Sequence, residues 1–174
     1  INSGSTLNLS GSGSIANSAV ANAGTFSISG TSSGASIVSL SGAGSTVLGA
    51  NTLTISNANG TYSGVMSGTG GLTLTAGTLT LSGANTYTGA TTISGGTLGL
   101  SGSGSLATSS GVVNNGTFDI SGTTSGATVA TLSGAGSTVL GAETLIISNA
   151  NGTYSGVMSG TGGLTLTAGT LTLS

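Results

Sequence analysis

The sequence predicts an all-β chain wound as a parallel β-helix, a three-sided β-solenoid of about eight to nine coils, and three observations carry the solenoid. Apolar residues recur with period two in short runs, strands return at a step of 19, and a long segment repeats almost unchanged at a shift of 92. Period-two spacing puts both apolar side chains on one face of an extended strand and the residue between them on the other. A step of 19 matches one coil of three short strands and three corners.

The apolar pairs, in order, are Leu7 and Leu9, Phe26 and Ile28, Leu53 and Ile55, Leu72 and Leu74, Leu79 and Leu81, and Leu98 and Leu100. Each brackets one residue that is small or polar. Leu7 to Phe26, Leu53 to Leu72 and Leu79 to Leu98 are all steps of 19, whereas Phe26 to Leu53 is a step of 27 and is expected to be a coil with an enlarged loop. Leu72–Leu74 and Leu79–Leu81, joined by Thr75-Ala76-Gly77, fit either a local hairpin or two faces of one coil meeting at a corner. Residues 40–82 recur as 132–174, differing only at Asn51/Glu143 and Thr54/Ile146. Phe26 and Ile28 correspond to Phe118 and Ile120 at a shift of 92, but Leu7 corresponds to Leu98 at 91, which places one added residue near Ser109 or Ser110. The expectation is one continuous solenoid over 1–174, built of two long repeats, 1–92 and an incomplete 93–174, each holding four to five coils.

Composition agrees. Gly, Ser and Thr number 35, 32 and 31, together more than half of 174 residues, so no segment sustains a helix. There is no proline, and every backbone N–H stays available to a ladder. Such a chain would be expected to be disordered were it not 36% hydrophobic with the apolar residues in period. In a solenoid each strand pairs with its equivalent one coil away, so Leu is expected on Leu, Thr on Thr and Asn on Asn at roughly 4.8 Å. Like charges stacked in register repel, which accounts for a chain with no Lys or Arg and only Asp119 and Glu143 charged. An antiparallel sandwich or barrel is the alternative, but it gives no reason for a near-identical duplication.

The same composition narrows function. With no His, Cys, Lys or Arg and two isolated acids, the sequence offers no catalytic, cofactor-binding or metal-binding residue, and no enzyme is expected. No cofactor is implied. Nucleic acid is excluded as a partner because nothing neutralises phosphate. No apolar run is long enough to insert in a membrane as a helix, and Ile1-Asn2-Ser3 does not read as a signal peptide.

Residues 78–100, TLTLSGANTYTGATTISGGTLGL, resemble the autotransporter-associated β-strand repeat of bacterial autotransporter passenger domains. The resemblance rests on Gly77 to Gly83, Asn85-Thr86-Tyr87-Thr88-Gly89, Thr91-Thr92-Ile93 and Gly96-Thr97-Leu98, with a weaker version at Asn59 to Gly64 and at Asn151 to Gly156. It implies a right-handed parallel β-helix, an extracellular or cell-surface location with outer-membrane anchoring through another region, and a role in adhesion or biofilm scaffolds. The motif is a scaffold motif and brings no functional residue with it.

Other features each have a plain structural reading beside a functional one. Asp119 stands where the other copy has Ser27 and Glu143 where it has Asn51, so neither acid is in both copies and both read as solvated surface groups. Thr-x-Thr at Thr52–Thr54, Thr73–Thr75, Thr78–Thr80, Thr165–Thr167 and Thr170–Thr172 fits an ice-binding face, or simply the best small strand residue for a solvated one. Asn8, Asn59, Asn115 and Asn151 begin glycosylation-type triplets, although Asn-Gly is first a turn signal. Tyr62, Tyr87 and Tyr154 fit either sugar stacking or packing at recurrent corners. No acidic repeat offers calcium ligands. The expected function is a rigid stalk, spacer or end-to-end fibre of a long extracellular protein. Its expected partners are neighbouring repeats or identical protomers stacked at the ends, with surface glycans as a further candidate. The alternative is a binding module for ice or glycans. Ser174 corresponds to Ser82, and ten further residues like Gly83 to Thr92 would complete a second unit and lead back near Ile1, as expected for a window on an array.

Overall fold

A computed structural model describes all residues, 1–174, and contains 23 strands and no helix. Every strand pairing is parallel, which excludes a sandwich or barrel of hairpins. Each coil visits three faces in turn. The first face holds Thr6–Gly11, Thr25–Thr31, Ser45–Gly49 and Met66–Gly68, and later Ala127–Val129, Leu145–Ile147 and Leu164–Leu166. The second runs through Ala35–Ile37, Leu53–Ile55, Leu72–Leu74, Thr91–Ile93, Val112–Asn114 and Leu132–Ser133. A bridge from Gly134 to Tyr154 carries it on to Ala150–Tyr154 and Gly169–Leu173. The third holds Ala19–Ala21 and Ser39–Ser41, then Ala58–Tyr62, Gly77–Leu81, Thr97–Gly102, Thr117–Thr123, Ser137–Gly141 and Val157–Gly160. About nine coils at the usual strand spacing make a rod of roughly 40 Å.

Register shows the expected one-coil steps. Leu7 lies on Phe26, Leu53 on Leu72 and Leu79 on Leu98. Leu72–Leu74 and Gly77–Leu81 pair with different strands, so Thr75-Ala76-Gly77 is a corner between two faces and not a hairpin turn. Outward threonines stack, Thr54 on Thr73 on Thr92, but asparagines do not: Asn59 lies on Thr78.

The long interval from Phe26 to Leu53 is not one enlarged coil. Phe26 pairs with Thr46, and Leu53 pairs with Ala35 on the next face, so Phe26 and Leu53 are never partners. The strand between them is inconspicuous because its inward position beside Phe26 is a fully buried threonine, whose hydroxyl is bonded by Tyr62.

Coil length also explains how the long repeat sits in space. One repeat spans four and two-thirds coils, so each element returns one face away from its original. Thr25–Thr31 is on the first face and its copy Thr117–Thr123 on the third. Leu53–Ile55 is on the second and Leu145–Ile147 on the first.

Inside, 32 buried residues form a single apolar cluster along the axis. Three-residue strands such as Leu53–Ile55 point in, out, in, leaving one outward side chain each. Of 103 backbone hydrogen bonds, 54 lie outside the strands, so corners are laddered too: Ser56 N donates to Ile37 O and Thr75 N to Ile55 O, one coil back. Corner closeness requires glycine at specific points. At Gly77 the backbone has φ +78° and an added Cβ would overlap the Ala58 carbonyl.

Candidate functional site

The chemistry-bearing residues are few, and the coil geometry places them apart. Asp119 is mid-strand on the third face, half-buried, with Oδ1 accepting from Ser121 N at 2.9 Å. In the other copy Ser27 Oγ accepts from Ser29 N at 3.4 Å, so the acid takes over a local turn bond. Glu143 follows at the corner after Ser137–Gly141. No group of three or more His, Cys, Asp or Glu side chains gathers anywhere.

Several hydroxyls at the corners are engaged with backbone one coil back, while those of mid-strand Thr54, Thr73, Thr78 and Thr80 face outward. Thr75 Oγ1 donates to Ser56 O at 3.0 Å and Thr167 Oγ1 to Ser148 O at 3.3 Å, so the second residue of each of these Thr-x-Thr motifs caps a corner one coil back. Thr69 and Thr161 do the same toward Gly49 and Gly141, each at 3.3 Å. The row Ser36, Thr54, Thr73, Thr92 is then interrupted by Val113. Thr78 and Thr80 stand on the third face and Thr165 on the first, so the motifs are spread around the rod. Two shallow polar grooves lie on the surface, one of about 190 Å³ between Ser103–Ser105 and Ser125–Thr128 and one of about 280 Å³ at Ser33–Ser36.

All three tyrosines are buried, which removes them as sugar platforms and makes them the polar centres of the core. Tyr62 Oη bonds Thr46 Oγ1 at 2.8 Å and donates to Gly44 O, and Tyr154 Oη makes the same bonds with Thr138 and Gly136. Asn22 supports the first set by donating to Ser45 O at 2.8 Å, and Asn114 the second by donating to Ser137 O at 2.8 Å. Tyr87 Oη bonds Thr91 Oγ1 at 2.6 Å, Thr91 bonds Ser109 at 3.0 Å, and Ser109 donates to Gly89 O at 2.8 Å. Burial pushes the Tyr87 and Tyr62 phenols above the ordinary tyrosine value, with the Thr91 and Thr46 hydrogen bonds opposing the shift. No buried side-chain polar atom is left without a partner. Asn22, Thr46, Asn114, Thr138, Thr91 and Ser109 escape a reading of the sequence because an inward polar residue breaks the apolar period that marks strands. Asn8, Asn59, Asn115 and Asn151 are exposed.

Residues 76–100 match the family model described as passenger-associated-transport-repeat. This is the stretch in which Asn85 and Tyr87 fold inward at a corner, Asn85 Oδ1 accepting from Met66 N at 2.9 Å and Nδ2 donating to Gly83 O at 3.1 Å. Together with the β-solenoid around it, the match fits a repeat of an autotransporter passenger, and such repeats imply an extracellular or cell-surface location. No curated protein and no solved structure matches the chain. Within the matched stretch, the inward polar side chains hold one coil to the next.

Proposed function

We propose that this chain is a non-catalytic spacer: a stiff, nearly uncharged rod that holds functional regions of a long extracellular bacterial protein away from the cell surface, in adhesion or biofilm scaffolds. The observation that carries the reading is the polar inventory. Internal hydroxyls and amides satisfy one another, and several corner hydroxyls cap the preceding coil, so the polar groups of the interior and of those corners serve to hold coil on coil. Stiffness follows from an unbroken apolar core with ladders on three faces. Anchoring in the outer membrane through another region belongs to the same proposal.

Small-angle scattering of the monomer tests it. A particle roughly 40 Å long with the cross-section of one coil is expected; a flexible-chain profile would refute the spacer. The competing use of the hydroxyl face for ice or glycans predicts thermal hysteresis or glycan-array signal, and the spacer reading predicts neither. Order has to be tested with a protease other than trypsin, which finds no Lys or Arg to cut.

A further inference from the structure

Three Asn-Gly-Thr triplets occur in the chain, beginning at Asn59, Asn115 and Asn151, and all three asparagines are exposed. Sequence and exposure do not distinguish them, but the backbone does. Asn59-Gly60 is mid-strand in Ala58–Tyr62. Ala58 N donates to Ala76 O at 2.9 Å, so strand alternation gives the Gly60 N–H to the Thr78 carbonyl of the next coil. Asn151-Gly152 is held in the same way within Ala150–Tyr154, where Ala150 N donates to Ala168 O at 2.8 Å. Asn115-Gly116 belongs to no strand and forms the corner between Val112–Asn114 and Thr117–Thr123.

At that corner the ladder holds the flanking N–H groups and passes over that of Gly116. Asn115 N donates to Ile93 O at 2.7 Å and Thr117 N to Gly96 O at 2.9 Å, both one coil back. Gly116 N has only a side-chain acceptor, Asn114 Oδ1 at 3.2 Å. The Asn115 carboxamide is fixed through one atom, Oδ1, which accepts from Ala135 N at 3.2 Å, one coil on. Its Nδ2 bonds nothing in the chain, and the residue is exposed. A backbone nitrogen outside the ladder thus adjoins an amide carbon whose oxygen already receives an N–H. That donor sits where negative charge develops when the carbon is attacked.

We propose that Asn115 is a site of self-modification, at which Gly116 N attacks Asn115 Cγ and the residue becomes aspartate or isoaspartate. Water is the only co-reactant. Hydroxide or water takes the Gly116 N proton, the N–Cγ bond forms, the Cγ–Nδ2 bond breaks, and ammonia leaves behind a cyclic imide. One water then opens the imide, at the side-chain carbonyl to give aspartate or at the main-chain carbonyl to give isoaspartate. Aspartate keeps the acceptor for Ala135 N, now charged. Isoaspartate lengthens the main chain between the bonds of Asn115 N to Ile93 and Thr117 N to Gly96, and so loosens the corner. Either product adds one acid, taking the formal net charge from −2 to −3 on a rod with only two acids. Loss of ammonia makes the change one-way, so the charge marks the age of the molecule. The other copy lacks the site, with Ala23 at the equivalent position between Asn22 and Gly24. The proposal does not depend on the spacer reading.

Incubation of folded and denatured chain at mildly alkaline pH tests it, with fragmentation in the mass spectrometer locating each amide-to-acid conversion. Because the triplets are identical, all three asparagines are expected to convert at similar rates in denaturant. In the folded chain Asn115 is expected to convert about tenfold or more faster than Asn59, whose ladder must open first. Asn115→Ala, which installs the residue of the other copy, is expected to abolish the fast conversion and leave that at Asn59 unchanged. Equal rates at Asn115 and Asn59 in the folded chain overturn the proposal, as does an Asn115 that stays intact when folded while converting in denaturant. A fast conversion that survives Asn115→Ala overturns it too.

Discussion

Residues 40–82 and 132–174 are the same sequence at all but two positions, yet they occupy different faces and different surroundings. The earlier segment lies mid-rod, with coils on both sides, and the later one forms the last coils. Leu74 and Leu81 are fully buried, and Leu166 and Leu173 are not. Tyr62 and Tyr154, deeper in each segment, are both buried and bonded to the same kinds of partner. In a solenoid a residue's burial is therefore decided by the coils on either side of it, as the half-buried Leu7 and its fully buried equivalent Leu98 also show, while its local hydrogen bonds are decided by its own and the preceding coils. Rotation by one face changes neither, because the three faces impose the same in-and-out rule on a strand.

The sharpest way to break the comparison is to make the same substitution in both segments. Leu81→Ala removes a fully buried side chain and is expected to cost about 2–5 kcal/mol. Leu173→Ala, its equivalent, removes a side chain already largely in water and should cost well under half as much. Denaturant midpoints of the monomer measure both. Equal losses would show that the last coil is covered, and then the comparison fails.

The tyrosine centres should behave alike where the leucines differ. Tyr62→Phe and Tyr154→Phe each leave a buried threonine hydroxyl and a glycine carbonyl short of a partner, at an expected cost of about 1–3 kcal/mol. The two losses should be similar, because Tyr62 and Tyr154 hold the same kinds of threonine and glycine partner. A marked difference between them in matched denaturation curves would show that the two centres are not equivalent.

How far the sequence can be read follows from the same division. The period of two, the recurring step of 19 and the absence of charge suffice for fold class, coil size and the pairing of Leu79 with Leu98. They fail at Thr46, Thr91 and Asn114, which are inward and polar. Nothing in the local sequence says that Tyr62, far along the chain from Thr46, will supply its hydrogen bond. The one-face rotation of the repeat is equally hidden, since it depends on coil lengths that vary along the chain, from the short coil joining Ala35 to Leu53 to the longer one joining Thr91 to Val112. The candidate site is legible mainly as an absence of chemistry, and where the hydroxyls go is settled only by the coil beneath them.

Alkali tests the buried phenols directly. Tyr87 has its folded-state value raised by burial, so the unfolded chain releases this proton first. The stability concerned is complete below the ordinary value near pH 10 and falls as pH rises above it, by up to about 1.4 kcal/mol per pH unit, until the raised folded-state value is reached. Denaturation midpoints taken on either side of pH 10 should show that slope, and Tyr87→Phe should make it shallower. An unchanged slope in Tyr87→Phe would mean that this phenol is open to solvent.

The smallest effect comes from one of the two positions at which the segments differ. Asn51 Nδ2 donates to Ile28 O at 3.1 Å and Thr31 O at 3.0 Å, tying a corner to the preceding coil. Glu143 holds the same corner in the later copy, its N–H bonded to Leu140 O as that of Asn51 is to Leu48 O. The carbonyls equivalent to those of Ile28 and Thr31 belong to Ile120 and Thr123, and an ionised carboxylate has no proton to offer them. Glu143→Asn is thus expected to stabilise the chain by about 0.5–1.5 kcal/mol, and Asn51→Glu to destabilise it by at least as much. The pair of substitutions separates sequence from position. If exchanging the two residues moves both midpoints in the stated directions, the corners are interchangeable across faces. If Glu143→Asn changes nothing, the rotated corner has found another donor for its carbonyls, and the equivalence of the two copies ends at the backbone.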